Sequence, residues 1–341
     1  MLIHYSNNLN YICTMNYRTI VTPKDYDFEI SHQSNLLLIG SCFSENIGNK
    51  LMSSKLNTMV NPFGILFSPI SIVNTLNDII EEKEFAEKDL HFENGLYHSF
   101  AHHSSFSGIN SEEVLIRINQ IRDEATLFLK KTDVIIITLG SSWTYRYNDT
   151  SEFVANCHKV PNKEFTKELL EVNFIVKKLQ EVIDKLQAIN SNLKVIFTIS
   201  PVRHWKDGAE ENTLSKSILN VAIHQLARSK AIYYFPAYEM VIDDLRDYRF
   251  YKEDMLHPNS VAVDYVWNGF GEAFFSNETV RLNKVICKIA AAIKHRPFNS
   301  LTKEHQRFLE IQLKNIADLK KKNATINFDK EIGFFKNQLI K

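Results

Sequence analysis

The sequence predicts an α/β fold in which helices cover both faces of a parallel β-sheet. Short apolar segments recur along the chain at residues 36–40, 133–145, 193–205 and 231–241. Segments of this kind are typical of strands that are buried on both faces of a parallel sheet. Polar, helix-like stretches separate them, and an alternation of strands and helices favours this layered architecture.

A glycine or proline marks the end of each predicted strand. The segment at 36–40 ends in glycine, the second strand ends at Gly140, the third is broken at Pro201 and the fourth ends at Pro236. In parallel sheets of this kind, ligands bind at the carboxyl ends of the strands. We therefore expect the residues just after the first three strands to gather at one edge of the sheet.

The stretches between the strands have the apolar spacing of helices. The stretch SENIGNKLMSSK follows the first strand, and it places Ile47 and Leu51 on one helix face. Ser44 is the predicted cap of that helix. Residues 171–190 and 214–230 are also predicted helices, and the first of these is strongly amphipathic.

The pattern changes near residue 276, where VRLNKVICKIAAAIKHRP and SLTKEHQRFLEIQLKNIADLKKKN predict two more helices. Met15 precedes the start of the predicted fold, so the residues before it read as an upstream extension. We therefore expect an N-terminal extension over 1–15, an α/β domain over 16–275 and a C-terminal helical extension over 276–341.

Charge and cysteine content exclude several classes of protein. Lys plus Arg and Asp plus Glu number 40 each, so net charge favours neither a nucleic acid nor a membrane as partner. The four cysteines are widely spaced and form no CxxC pair, which is typical of a reducing, cytoplasmic compartment. The N-terminal residues contain no apolar run long enough for a signal peptide or a membrane span.

Two segments far apart in the chain carry candidate chemistry. Gly40-Ser41-Cys42 ends the first strand and starts a helix, where backbone N–H groups can bind an oxyanion and the helix dipole favours a thiolate. The alternative is a tight turn with a small buried cysteine. Asp254 precedes His257 by three residues, so its carboxylate can fix the imidazole tautomer and leave the other nitrogen free to accept a proton.

The order of nucleophile, acid and base resembles that of the SGNH/GDSL hydrolase superfamily. GSCFSENIG at 40–48 resembles the name-giving motif of the GSCFA family within it. Further stretches that resemble this family are NPFGILFSP, FVANCHKVP, SPVRHWKDG and DYRFYKEDMLHPN, and together they span about residues 16–272. The resemblance implies a flavodoxin-like three-layer α/β/α sandwich of the SGNH type, followed by the C-terminal helices.

The resemblance also implies roles for individual residues. Cys42 falls on the nucleophile position and Ser41 on its neighbour, and we favour Cys42 because a thiol paired with His257 ionises more readily than a hydroxyl. Gly64 matches the glycine of the oxyanion hole. Where the superfamily has an asparagine in its third block, this sequence has Ser142. Either Ser142 serves, or Asn61 or a backbone N–H replaces it, or the reaction does not need a strong hole.

Other polar residues are candidates for substrate binding. Arg203, His204 and Lys206 follow the third strand and form a positive cluster suited to a carboxylate, a phosphate or an acidic sugar. His158 is a candidate substrate binder, with a polar turn as the alternative. Three histidines near residues 98–103 invite a metal site, but their spacing matches no standard zinc motif, so we expect neither metal nor cofactor.

The resulting hypothesis is an esterase or acyl hydrolase of the SGNH type. It would act on a small-molecule or carbohydrate ester through Cys42, or Ser41, with His257 and Asp254. Two alternatives stay open, because the same triad can serve an acyltransferase and the same fold can serve a non-catalytic carbohydrate- or anion-binding protein.

Overall fold

A five-stranded parallel sheet forms the centre of the computed structural model, which describes residues 18–324 and 326–340. The order across the sheet is β10 (Ile232–Tyr234), β9 (Lys194–Ile199), β5 (Val134–Leu139), β1 (Asn35–Gly40) and β2 (Asn57–Val60). Every neighbouring pair is parallel, so the predicted α/β sheet is confirmed. The predicted extension at 1–15 lies outside the described residues.

Helices cover both faces of this sheet. The main helices are α1 (Cys42–Ser53), α2 (Pro69–Ile80), α3 (Ser111–Leu129), α4 (Val172–Ile189), α5 (Gly208–Leu226), α6 (Ser260–Phe274), α7 (Asn277–Lys294), α8 (Lys303–Lys322) and α9 (Asp329–Lys336). Helices α2 to α5 pack on one face, and α1 and α6 pack on the other. The layers match the predicted three-layer sandwich.

Strand β1 shows why the apolar segments form the middle layer. Its side chains alternate, so that Leu37 and Ile39 enter the core beneath α2 to α5, and Leu36 and Leu38 enter the core beneath α1 and α6. All four are fully buried. Each such leucine or isoleucine contributes about 1.5–3 kcal/mol on leaving water, and this favours a strand with two apolar faces.

The register of the central strands brings their carboxyl ends together. Gly40 of β1 lies opposite Thr138 of β5, and Leu139 of β5 lies opposite Ile199 of β9. The residues that follow these three strands therefore lie side by side at one edge of the sheet.

The second predicted strand is confirmed as β5, which ends at Leu139, one residue before the predicted end at Gly140. After Leu139 the chain leaves the central sheet, and Trp143–Tyr147 forms β6 of a separate antiparallel sheet with β7 (Phe153–Val154) and β8 (Phe165–Leu169). The pairing stops because Gly140 and Ser141 donate their N–H groups to the carbonyl oxygen of Phe67, a residue distant in the chain, rather than to a sheet neighbour. A short hairpin of β3 (His91–Glu93) and β4 (Leu96–His98) completes the strands described here.

The C-terminal helices α7, α8 and α9 share an apolar core of their own, built around Leu309, Ile316 and Phe335. The first two were predicted, and α9 is an addition. An ion pair between Lys55 and Glu331, at 2.6 Å, joins this core to the α/β layers. Within the part of the chain that the structure describes, no helix combines the length and the apolar character needed to cross a membrane.

Candidate active site

The turn after β1 presents Cys42 at the N-terminus of α1. Ser41 caps this helix: its Oγ accepts the Phe43 N–H at 3.3 Å, and the residue is only 4% exposed. Cys42 is half-buried, and its thiol makes no hydrogen bond to any described residue. The predicted cap is wrong, since Ser44 instead donates a hydrogen bond to Thr138 Oγ1 at 2.7 Å.

The shape of this turn depends on glycine. Gly40 has a φ of +148°, and a Cβ at this position would lie 2.2 Å from the Thr138 carbonyl oxygen. Its N–H donates to Oδ1 of Asn61 at 2.8 Å, just beyond the end of β2. The close approach to β5 and the bond to Asn61 together fix where the following residue, Ser41, and then Cys42 are placed.

Asp254 and His257 lie in the loop before α6, and three hydrogen bonds join the carboxylate to this loop. Nδ1–H of His257 donates to Oδ2 of Asp254 at 2.6 Å, and the N–H groups of Leu256 and His257 each donate to Oδ1 at 2.9 Å. The bonds from the backbone N–H groups, with that from the imidazole, lower the pKa of Asp254 to about 2. Nε2 of His257 has no hydrogen-bond partner among the residues described.

His204 occupies the space beside the end of β5. Its Nε2 would lie 3.3 Å from a Cβ added at Gly140, and its ring packs against Phe67 with centroids 4.9 Å apart. Burial, followed by the charge of Lys216, lowers the pKa of His204 to about 4, and the charge of His257 acts in the same direction. The ring is therefore neutral at about pH 7.

A lysine that no sequence pattern singled out lies at the same edge. Lys216 of α5 is 2% exposed, and its Nζ donates to the carbonyl oxygens of Gly140 and Ser200 at 2.6 and 2.7 Å. Burial lowers its pKa to about 7, whereas the charge of Cys42 raises it. In the sequence, Lys216 looks like any lysine on the solvent-exposed face of a helix, so nothing in the sequence indicated that it is buried at the site.

The thiol of Cys42 is subject to opposing influences. Burial raises its pKa most, and the negative charge of Glu45 raises it further. The positive charges of Lys216 and Lys252 lower it. Lys252 also donates its backbone N–H to the His257 carbonyl oxygen at 2.8 Å, so the charges that act on the thiol belong to the same edge as the imidazole.

The three oxyanion candidates have different partners. The Gly64 N–H donates to the Asn61 carbonyl oxygen at 2.8 Å. Ser142 is fully buried, its N–H donates to Ser215 Oγ at 2.8 Å and its hydroxyl donates to the Ser215 carbonyl oxygen at 3.2 Å. Nδ2 of Asn61 is buried and has no partner among the described residues. Of the three, Asn61 thus has a side-chain donor that the fold leaves unused.

A cleft of about 470 Å³ lies next to the Asp254 loop. Arg203 lines it, together with the exposed aromatic side chains of Trp205 and Tyr248, which are 53% and 74% exposed. No described residue forms an ion pair or hydrogen bond with the guanidinium of Arg203. The structure thus brings Arg203 to the same cleft as Asp254, whereas Lys206 is exposed on the adjoining turn.

His158 is buried, and its ring contacts residues at and just after the end of β4. Its ring stacks on His98 with centroids 4.6 Å apart, and Nε2–H donates to the Ser99 carbonyl oxygen at 2.8 Å. Burial lowers its pKa to about 4. These contacts match the alternative of a polar turn residue. Across residues 18–324 and 326–340, no three His, Cys, Asp or Glu side chains are grouped so that they could hold a metal ion.

Fold and geometry define an α/β/α sandwich with a thiol, an imidazole and a carboxylate at the carboxyl edge of its sheet. The GSCFA family model matches residues 35–270, and the chain belongs to that family. A second model, GSCFA domain protein, C-terminal domain, matches residues 286–341. None of the curated proteins matches the sequence.

Several solved structures are similar in fold. A carbohydrate esterase family 3 from Talaromyces cellulolyticus is 11% identical, with a TM-score of 0.34 and coverage of 74% of this chain and 98% of its own. The Clostridium thermocellum family 3 carbohydrate esterase gives the same values. An acetyl xylan esterase, Est2A, from Butyrivibrio proteoclasticus is 10% identical, with a TM-score of 0.37 and coverage of 71% and 64%. Similarity at this level carries no information on the activity of this chain.

Proposed function

We propose that the protein is an acyl hydrolase that uses Cys42 as nucleophile, His257 as general base and Asp254 as the group that orients His257. The observation that carries this proposal is the geometry of the Asp254 loop. The carboxylate holds Nδ1–H of the imidazole at 2.6 Å and leaves Nε2 unpartnered in the described chain, which is the arrangement a general base needs.

The choice of Cys42 over Ser41 rests on what each side chain already does. The Ser41 hydroxyl caps α1 and is buried, whereas the Cys42 thiol has no partner among described residues. A thiol is also the more acidic of the two groups. Cys42 and His257 make no hydrogen bond in the structure, and such catalytic bonds are often long before substrate binds.

In the proposed reaction, Nε2 of His257 takes the proton of the Cys42 thiol as Sγ attacks the acyl carbon. Nδ2–H of Asn61 donates a hydrogen bond to the carbonyl oxygen, on which negative charge develops. His257 then gives its proton to the departing alkoxide, and a thioester remains on Cys42. Water, deprotonated by His257, attacks the thioester, and the bond between the acyl carbon and Sγ breaks. His257 returns the proton to Sγ, so that the carboxylic acid and the free thiol are released.

The cleft beside Asp254 supports an ester that carries an anionic group and a ring. Of its carboxylates, Asp254 is bound to His257 and Asp247 is paired with Arg249 at 3.2 Å. The guanidinium of Arg203 is therefore uncompensated within the described residues and suits a carboxylate or phosphate of the substrate. Trp205 offers an apolar face on which a sugar or aromatic ring can stack.

Hydrolysis of 4-nitrophenyl acetate by the full chain tests the proposal. Cys42→Ala and His257→Ala are each expected to lower kcat by about 10²-fold or more, as removal of a positioned acid–base group does. Ser41→Ala is the matched control: it removes the cap, which costs about 0.5–2 kcal/mol of stability, and keeps the thiol.

The outcomes separate the alternatives. Activity that survives in Cys42→Ala and disappears in folded Ser41→Ala would move the nucleophile to Ser41. Activity equal in the wild-type chain and all three variants would refute the proposal. A covalent adduct with a thiol-directed probe should be found by peptide mass spectrometry on Cys42, and the rate of its formation should fall in His257→Ala.

A further inference from the structure

Lys216 is a buried cation without a carboxylate partner in the described chain. It is 2% exposed, and its Nζ donates to two main-chain oxygens, those of Gly140 and Ser200, at 2.6 and 2.7 Å. Buried lysines are rare unless an opposite charge accompanies them, because a desolvated ammonium ion is unfavourable. Hydrogen bonds to two neutral carbonyl groups offset only part of the desolvation free energy of the ammonium ion.

The sheet register places this ammonium group at the same edge of the sheet as the turn that carries Cys42. Gly140 and Ser200 are the first residues beyond β5 and β9, which are adjacent strands. The other neighbour of β5 is β1, and Cys42 stands two residues beyond its end. The Ser41 N–H donates to the Thr138 carbonyl oxygen at 3.2 Å, which holds the turn against β5.

We propose that Lys216, in its protonated form, supplies the positive charge that stabilises the thiolate of Cys42. This inference rests on the proposed role of Cys42 as nucleophile and extends it. His257 moves the proton, while Lys216 keeps its own and forms or breaks no covalent bond. When the thiolate forms, it supplies the negative charge that the buried ammonium lacks, so each ion favours the other.

Other charges face the same two groups. Glu45 and Lys252 act on Cys42 with opposite signs, and Arg203 acts on Lys216 by lowering its pKa. His204 lies beside Lys216 but is neutral at about pH 7 because burial holds its pKa low. The Tyr238 ring is 6.0 Å from Nζ, at the limit of a useful cation–π contact. Lys216 is the one of these cations that is fully buried.

A purely structural role is the competing explanation. Lys216 could serve only to tie the ends of β5 and β9 together through the two carbonyl oxygens. Glutamine separates the two roles, because its amide keeps two N–H donors and carries no charge. Lys216→Gln therefore tests the charge, and Lys216→Met removes the charge and the donors together.

The measurement is the rate at which iodoacetamide alkylates Cys42 in the full chain, followed against pH. Both Lys216→Gln and Lys216→Met are expected to raise the midpoint of this profile by about 1 pH unit or more. At about neutral pH, this corresponds to a roughly tenfold slower alkylation. Glu45→Gln is the control of opposite sign and should lower the midpoint, because it removes the negative charge nearest in the chain.

A profile of folded Lys216→Gln that coincides with the wild-type profile would overturn the proposal. If neither Lys216 variant folds, the reciprocal measurement is the titration of Lys216 in isotope-labelled protein by NMR. The midpoint for Lys216 should be lower in Cys42→Ser than in the wild-type chain, and equal midpoints would equally refute the pairing.

Neither readout needs a substrate. If the Lys216 variants show no shift in the alkylation midpoint and the wild-type chain hydrolyses esters, the role of Lys216 is refuted and the proposed function stays intact. A clear shift without hydrolysis of any ester would support the ion pair and count against the proposed function.

Discussion

Replacement of Gly40 by alanine tests whether the turn that presents Cys42 depends on glycine. The added Cβ would lie 2.2 Å from the Thr138 carbonyl oxygen and 2.9 Å from the carbon and nitrogen of the same residue. These are backbone atoms in the middle of the parallel sheet, so they cannot move aside as the end of a side chain can. Position 40 also has a φ of +148°, which L-residues rarely adopt.

Two terms set the expected loss of stability. A non-glycine residue held in a sparsely populated backbone region costs about 1–3 kcal/mol. Overpacking by one methyl group in a close-packed core costs about 1–3 kcal/mol more. We therefore expect Gly40→Ala to lower the free energy of unfolding by about 2–6 kcal/mol, a large share of the stability of a typical domain.

Gly208→Ala is the matched control. Gly208 also has a positive φ, +82°, but a Cβ there would meet no atom within 4 Å. Gly208→Ala should lose only the unfolding free energy that comes from the strained backbone, because no atom clashes with the added Cβ. Urea unfolding followed by circular dichroism gives both free energies, and alkylation of Cys42 reports the turn. Equal losses in the two variants, with an unchanged alkylation rate in Gly40→Ala, would contradict the reasoning.

Three further predictions concern the Asp254 loop and the oxyanion donor. Asp254→Asn should lower kcat by about 10²-fold or more, since an amide that donates to Nδ1 of His257 leaves Nε2 protonated, and turnover of folded variant protein checks this. The pKa of Asp254 is depressed from 3.8 to about 2, so its contribution to stability is present above about pH 4 and is lost as pH falls towards 2. The melting temperatures of the wild-type chain and of Asp254→Asn should therefore converge between about pH 4 and pH 2. A constant difference between the two melting temperatures would contradict this prediction. Asn61→Asp keeps the Oδ1 acceptor for the Gly40 N–H but removes the Nδ2 donor, so kcat should fall by about 10²–10³-fold with little change in KM, whereas an unchanged kcat would exclude Asn61 from the oxyanion site.

The central sheet was predictable because its strands carry their own signal. Leu36 to Ile39 are apolar on both faces and end in a glycine, which leaves few alternatives to a buried parallel strand. The edge strand β2 was harder, whereas the other edge strand, β10, lies within the predicted strand at 231–241. Strand β2 contains the polar Asn57 and Thr58 and is only partly buried, so it lacks the apolar run of a central strand.

The course of the chain after β5 could not be read from the sequence. Trp143, Thr144 and Tyr145 are residues that strands favour, and they follow the apolar run of β5 almost directly. Local preference alone would extend the strand into these residues, and only Gly140 marked its end. The break depends on a distant contact, since the Phe67 carbonyl oxygen takes the N–H groups of Gly140 and Ser141.

The same holds for the candidate site: contacts between residues close in the chain could be predicted, and contacts between distant residues could not. Asp254 and His257 are three residues apart, so their hydrogen bond could be inferred from spacing. Lys216 could not, because its hydrogen-bond partners are the carbonyl oxygens of Gly140 and Ser200, which lie 76 and 16 residues away in the chain. Main-chain partners leave no trace in residue types.

These contacts bear on the resting state of the nucleophile. The helix N-terminus, Lys216 and Lys252 favour a thiolate at Cys42, but burial and Glu45 outweigh them, and the pKa of the thiol is raised. At about neutral pH, Cys42 is therefore a thiol in the free protein, with low reactivity towards oxidants. Ionisation then requires His257 as proton acceptor, and the positive charge of Lys216 acts at the moment when the thiolate forms.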